Sequence, residues 1–296
     1  MFRLKNPTHT VLLVGAATAL LTMAGAGSAS AAPVSFTWNP NAIPGITTTD
    51  PQQFTADDIT TAAYGSIVLG GAGPGTFTAS GIVNLSAFTL NGADALPPGS
   101  TLGAGNSALF GTGYVLYATY QASGTTTATS LPTTTSTITS PITSFNYQLF
   151  LAPADSSAAP TFVGSAAGAS VSGIGTPVEL ATGSEVTPGT ATLTFTAGEG
   201  LSVGANILAS FTETAAGAGF FVNPPATVGL DLFSSTTNTG SVVTTSGTST
   251  VIVGAGGTGG GGNATFQPAV VPEPASLLLL GFGLVGLGVV KRRRSA

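Results

Sequence analysis

Between Ala32 and Val270 this chain has no lysine, no arginine, no histidine and no cysteine. Its basic residues stand at the two ends, as Arg3, Lys5, Lys291, Arg292, Arg293 and Arg294, and its single histidine is His9. Ten of the eleven acidic residues lie in the stretch without cations, so that body carries a formal charge of −10 where the whole chain carries −5. These absences exclude whole mechanisms. A Ser-His-Asp or Cys-His site lacks its base. Zinc sites of His and Cys, Schiff-base lysines and arginine clamps on phosphate cannot be built. Without cations the body cannot neutralise a nucleic-acid backbone, so no nucleic-acid partner is expected. Anionic polymers should be repelled unless divalent cations bridge the two. With no disulfide framework, stability must rest on a packed core, and a body of this length can build one.

The termini read as export signals. Arg3 and Lys5 precede an apolar stretch from Val11 to Met23, and Ala29-Ser30-Ala31 supplies small residues before a cleavage point. This is the charged start, apolar middle and Ala-x-Ala end of a secretory signal peptide spanning residues 1–31. Cleavage before Ala32 fits best, because one residue later would leave Pro33 directly after the cut. At the other end, Val271-Pro272-Glu273-Pro274 leads into an uncharged run from Ala275 to Val290, then Lys291-Arg292-Arg293-Arg294. As a helix that run is about 24 Å long, short for a hydrocarbon core of ~30 Å. Gly281, Gly283, Gly286 and Gly288 lower its helix propensity but allow close helix–helix approach. The basic cluster should remain cytoplasmic as a stop-transfer signal. The prolines flanking Glu273 hold that segment extended, where a processing enzyme can reach its backbone.

The Pro-Glu-Pro, glycine-rich span and terminal arginines of residues 271–296 together resemble the sorting signal of the PEP-CTERM proteins. The resemblance implies an exosortase-type processing enzyme as partner. It also implies transient anchoring in the inner membrane by a C-terminal transmembrane sorting helix, followed by an extracellular or cell-surface location.

The body, residues 32–253, is rich in Gly, Thr, Ala, Ser and Val and shows no long segment of 3.6-residue period. Short alternating runs between turn residues predict an all-β fold, a single β-sandwich or jelly-roll-like domain. Tyr114–Tyr120 is dense in aromatic and β-branched residues. Phe145, Tyr147, Leu149 and Leu151 alternate with Ser144, Asn146 and Gln148, the pattern of a half-buried strand. Further strands are expected at Tyr64–Leu69, Ile82–Leu90, Ala191–Ala197, Ile207–Glu213 and Thr227–Phe233. Ser123–Ser140, almost all Thr and Ser, is expected as an exposed loop or an extended hairpin, with a composition that can carry O-linked sugar. Residues 254–270 read as a glycine-rich linker. The Asn84 and Asn263 sequons read as chance matches.

Paired carboxylates are the chemistry left to such a body, and two acids across a cleft suffice for glycoside hydrolysis. Asp57-Asp58 are adjacent and should face opposite sides of a strand. Asp94, Asp155, Glu179, Glu185, Glu199, Glu213 and Asp231 are scattered without signature spacing. No catalytic residue is assigned, and the chain is read as not an enzyme. Oxygen-only ligands suit calcium, yet no EF-hand or Gly-Gly-x-Gly-x-Asp repeat places a site, so any metal position is unknown and no other cofactor is expected. Trp38, Tyr114, Tyr117, Tyr120 and Tyr147 are the aromatic residues considered for stacking sugars.

At Phe36-Thr37-Trp38-Asn39-Pro40, Phe54–Ile59, Tyr64–Val68 and Leu109–Ala118 the body looks like the flocculation-associated subgroup of PEP-CTERM proteins. That likeness implies a non-enzymatic exported surface or matrix protein associated with exopolysaccharide, promoting floc or biofilm formation. The alternatives are a carbohydrate-binding module gripping polymer through Tyr, Asn and carboxylates, or a secreted two-carboxylate glycoside hydrolase.

Overall fold

Alternation of Thr, Val, Ile and aromatic residues with small polar ones leaves strands as this chain's route to burying apolar surface. The computed structural model describes residues 34–44, 53–95, 114–128, 134–153, 160–196, 200–232, 242–254 and 261–267, apart from 71, 73, 166–167, 225–226 and 247–248. The chain divides into two units, Met1–Ala32 and Pro33–Ala296, and every described residue belongs to the second. The signal peptide with Ala29, Ala31 and Ala32 lies outside the described residues. So do Val271–Pro274, the sorting helix and Lys291–Arg294.

The first strands are β1 (Phe36–Trp38), β2 (Phe54–Ala56), β3 (Asp58–Leu69), β4 (Thr76–Leu90), β5 (Ala93–Asp94) and β6 (Tyr114–Thr125). Next come β7 (Ser136–Pro153), β8 (Thr161–Ser165), β9 (Gly168–Ser172), β10 (Val178–Thr196), β11 (Gly200–Ser210) and β12 (Thr212–Glu213). The last are β13 (Phe221–Val222), β14 (Thr227–Leu232), β15 (Val242–Ser246), β16 (Ser249–Gly254) and β17 (Gly261–Gln267). Each expected strand falls within or across these. The fold is all-β, as the alternation required.

The pairings run β3-β17-β14-β11-β10-β7-β6-β4, all antiparallel, and β4 pairs back onto β3. The sandwich is therefore joined by hydrogen bonds along both edges and closes into a ring. Along its second edge β3 is shared, pairing Asp58–Ala62 with β17 and Gly65–Leu69 with β16. Closure of this kind gives each of the eight ring strands a hydrogen-bonded neighbour on both sides over part of its length.

The interior is apolar and nearly full. Ile59, Val83, Leu85, Phe145, Leu149, Val228, Ala264 and Phe266 surround a residual cavity of about 50 Å³, too small for a ligand beyond water. Glycine is required where large rings cross the interior. At Gly81 an added Cβ would lie 2.7 Å from the Tyr120 ring, and at Gly183 it would collide with the Tyr147 ring and the Ser210 carbonyl. Tyr147 Oη donates to that carbonyl at 3.0 Å. A three-stranded sheet, β13-β1-β2, adds an aromatic cluster around fully buried Trp38. Its ring lies 4.8 Å from Phe36, 5.1 Å from Phe88 and 5.9 Å from Phe266, tying the small sheet to β4 and β17.

One expectation is corrected by the strand order. The glycine-rich stretch from residue 254 is not a linker throughout: Gly254 ends β16, and Gly261–Gln267 forms β17 between β3 and β14. Ala264 and Phe266 are buried core, so the domain extends at least to Gln267. The local signal was dominated by glycine, whereas the strand is specified by the unpaired edges of β3 and β14 that it fills. Of the two forms expected for the Thr/Ser tract, the extended hairpin is the one found: its ends lie in β6 and β7, which pair antiparallel, and Ser136–Ser140 also pairs with Ala191–Phe195 of β10.

Candidate functional site

The aromatic residues considered for sugar stacking are not on the surface. Tyr114, Tyr120 and Tyr147 are buried in the interior, and burial pushes each phenol well above its ordinary value. Tyr117 is buried too, on the outer side of its strand, under a cover described below. Among the described residues these tyrosine rings present no exposed face on which a sugar could stack.

The described carboxylates stay dispersed. Asp57 precedes β3, and its Oδ2 accepts the Asn91 backbone N–H at 2.9 Å. The Asp58 carboxyl titrates above its ordinary 3.8, chiefly through burial and secondarily through the charge of Asp57. Glu185 Oε1 accepts the Gly189 N–H at 2.6 Å, holding the irregular part of β10. Burial raises Glu213, whose Oε1 has no hydrogen-bond partner among the described residues. Among those residues no three acidic, His or Cys side chains gather as a metal site. Asn84 is buried in β4, which agrees with reading its sequon as a chance match.

What the fold does assemble is a polar outer face. Antiparallel register aligns Ser66 of β3 with Ser80 of β4, Ser80 with Gln121 of β6, and Gln121 with Asn146 of β7. One row along, Thr119 pairs with Gln148; on the other side, Thr78 pairs with Ser123 and Ser123 with Ser144. Because side chains alternate, the residues between these positions, such as Phe145 and Tyr147, point into the core. Gln148 Nε2 donates to Glu179 Oε2 at 2.9 Å, which fixes the orientation of that amide.

A wall rises beside this face. Strands β8 and β9 form a separate hairpin that packs Phe162, Ala169 and Val171 on an outward cluster of Ile82, Val115, Tyr117 and Ala152. Phe162 stacks on Tyr64 at 5.4 Å and meets Tyr117 edge-on at 6.2 Å. At the near end of β9, Gly168 has φ +122°, and a Cβ there would lie 3.8 Å from Ser80 Oγ. Two adjoining depressions lie on this face and share Ser80, Gln121 and Asn146: one of about 290 Å³ lined by the sheet alone, and one of about 370 Å³ with Gly168 and Ala169 of the hairpin at its margin. Among the described residues no charged side chain lines either one.

Sequence reasoning placed Asn146 and Gln148 on the outward side of their strand but gave no sign that Ser66, Ser80 and Gln121 converge on them. That convergence is set by cross-strand register, which local alternation does not encode.

No curated protein and no solved structure matches the chain. Among the described residues no helix is long and apolar enough to cross a membrane, and Ala275–Val290 lies outside them. A family model for the PEP-CTERM protein-sorting motif matches residues 270–294. The chain thus ends in a PEP-CTERM sorting motif, which implies processing by an exosortase, export through a membrane-anchored intermediate and delivery to the cell surface or beyond it.

Proposed function

We propose that the exported body is a non-enzymatic component of the extracellular matrix that associates with exopolysaccharide and promotes floc or biofilm formation. The observation that carries this reading is the pairing of a surface-sorting tail with a body that has no His, Cys, Lys or Arg. Such a body has neither the nucleophile–base pair nor the cation that most hydrolytic and transfer chemistry needs. The dispersed carboxylates favour a structural role over a two-acid hydrolase, which requires its pair across one cleft. The likeness of residues 36–120 to the flocculation-associated subgroup supports the same role.

Gene deletion with and without complementation tests it, scored for cell aggregation and for the distribution of secreted polymer. The expected result is planktonic growth with polymer still released into the medium. Normal aggregation of the deletion strain, under conditions where the wild type makes the protein, would overturn the reading.

A further inference from the structure

We infer that the walled outer face of β3, β4, β6 and β7 is a binding groove for a neutral polysaccharide, held by Ser80, Thr119, Gln121, Asn146 and Gln148. The inference rests on the matrix reading above and adds to it a site and a ligand class.

Polar residues on the solvent side of an antiparallel sheet are ordinary, so polarity alone carries nothing. Three further features distinguish this face. Amides and hydroxyls are neighbours by register: Gln121 sits opposite Asn146, Thr119 opposite Gln148, and Ser80 opposite both Ser66 and Gln121. Each of these groups both donates and accepts, which matches sugar hydroxyls that do the same. The face is also concave, because the β8–β9 hairpin stands over Ile82 and Tyr117 and brings Gly168 and Ala169 to the margin of the depression. Finally, the lining formed by the described residues is uncharged within a body of formal charge −10.

Charge selects the occupant. An acidic glycan would enter a field of like sign with no cation to receive it, and the Glu179 carboxylate holding Gln148 stands at the groove's edge. A neutral polymer meets no such penalty. The central row crosses four strands, roughly 14 Å at ~4.8 Å per strand, so a chain lying along it runs across the strands. Ala169, half-buried at the margin, gives apolar surface for the carbon face of a ring. The donors and acceptors are carried by paired strands, so little ordering entropy is lost on binding.

The test is affinity electrophoresis of the full-length protein in mild detergent, through native gels containing dextran, galactomannan, hydroxyethylcellulose or alginate. At least one of the three neutral polymers should retard the protein, and alginate should not. Gln121→Ala with Asn146→Ala should weaken that retardation about tenfold, the loss expected for two neutral hydrogen-bonding groups. Both side chains are exposed, so the variant should melt as the wild type does. The pair Gln121→Glu and Asn146→Asp keeps the shape, adds two charges, and should also abolish retardation. Failure of all three neutral polymers, equal retardation of either variant, or stronger retardation by alginate would overturn the groove. The Ala variant returned to the deletion strain separates the two proposals. If it restores aggregation while deletion abolishes it, the groove falls and the matrix role stands. If deletion has no effect yet the protein is retarded, the matrix role falls and the groove stands.

Discussion

The inner and outer faces of β6 and β7 belong to the same backbone and serve opposite ends. Inward, Tyr120, Phe145, Tyr147 and Leu149 are buried against the rest of the ring, while outward Gln121, Asn146 and Gln148 are exposed. The inner set tolerates no change of volume, since glycines at 81 and 183 already give way to the rings above them. The outer set has room and is free of charge. Stability and recognition are thus divided by the two-residue period of a strand, so a substitution should disturb one or the other according to its parity.

The sharpest break in that comparison lies at the aromatic cluster. Trp38 is fully buried among Phe36, Phe54, Phe88, Phe220 and Phe221. Trp38→Ala should cost about 3–5 kcal/mol. At ~2–4 °C per kcal/mol for a domain of this size, thermal unfolding should begin roughly 10 °C lower. Trp38→Phe should cost far less, because the indole Nε1 has no hydrogen-bond partner among the described residues to be lost. A melting temperature unchanged in Trp38→Ala would mean the small sheet is not part of the cooperative core.

Next in size is a pair of substitutions on neighbouring strands. Gly183→Ala should destabilise by about 1–3 kcal/mol, because its methyl group meets the Tyr147 ring and the Ser210 carbonyl. Gln148→Ala, on the opposite face, should stay within about 0.5 kcal/mol. Calorimetry on both variants decides whether parity governs stability as argued. Equal effects would erase the distinction between the faces.

Much of this division was legible in the chain. The alternation through Phe145–Leu151 placed a strand and both its faces correctly. Three things were not legible. Ring closure depends on Asp58–Ala62 finding Gly261–Thr265, partners from opposite ends of the body. The glycines of β17 conceal a strand, because its propensity is poor and its pairing is supplied by neighbours. The burial of Tyr114, Tyr117 and Tyr120 followed from closure and from the β8–β9 cover, neither of which leaves a local mark. The candidate groove was half visible, in Asn146 and Gln148, and its other half depended on register.

A smaller effect separates the two faces through pH. The folded Asp58 carboxyl titrates above its ordinary value of 3.8, so the folded state holds that proton more tightly than the unfolded chain does. Its contribution to stability therefore grows as pH falls through this window and is complete below the unfolded value. Asp58→Asn should raise the melting temperature slightly at neutral pH, and the gain should vanish as pH approaches 3.8. A variant less stable than the wild type at neutral pH would indicate that the Asp58 charge is used, as it would be by a bound cation. Repeating the melt with calcium and with a chelator would then identify that cation.

The smallest effect expected concerns how copies of the protein meet. Ten carboxylates without a cation in the body make two copies repel each other at low ionic strength. Raising salt from ~10 mM to ~150 mM shortens the screening length from about 30 Å to about 8 Å. Self-association should therefore strengthen with salt and, at equal ionic strength, more with a divalent than a monovalent cation. Sedimentation across a salt series measures this directly. Association abolished by salt would mean that attraction between opposite charges holds the copies together, and only the terminal segments carry positive charge to supply it. The contact would then belong to those segments. Association that rises with salt places it on the body, where shape and hydrogen bonding must provide the attraction that charge opposes.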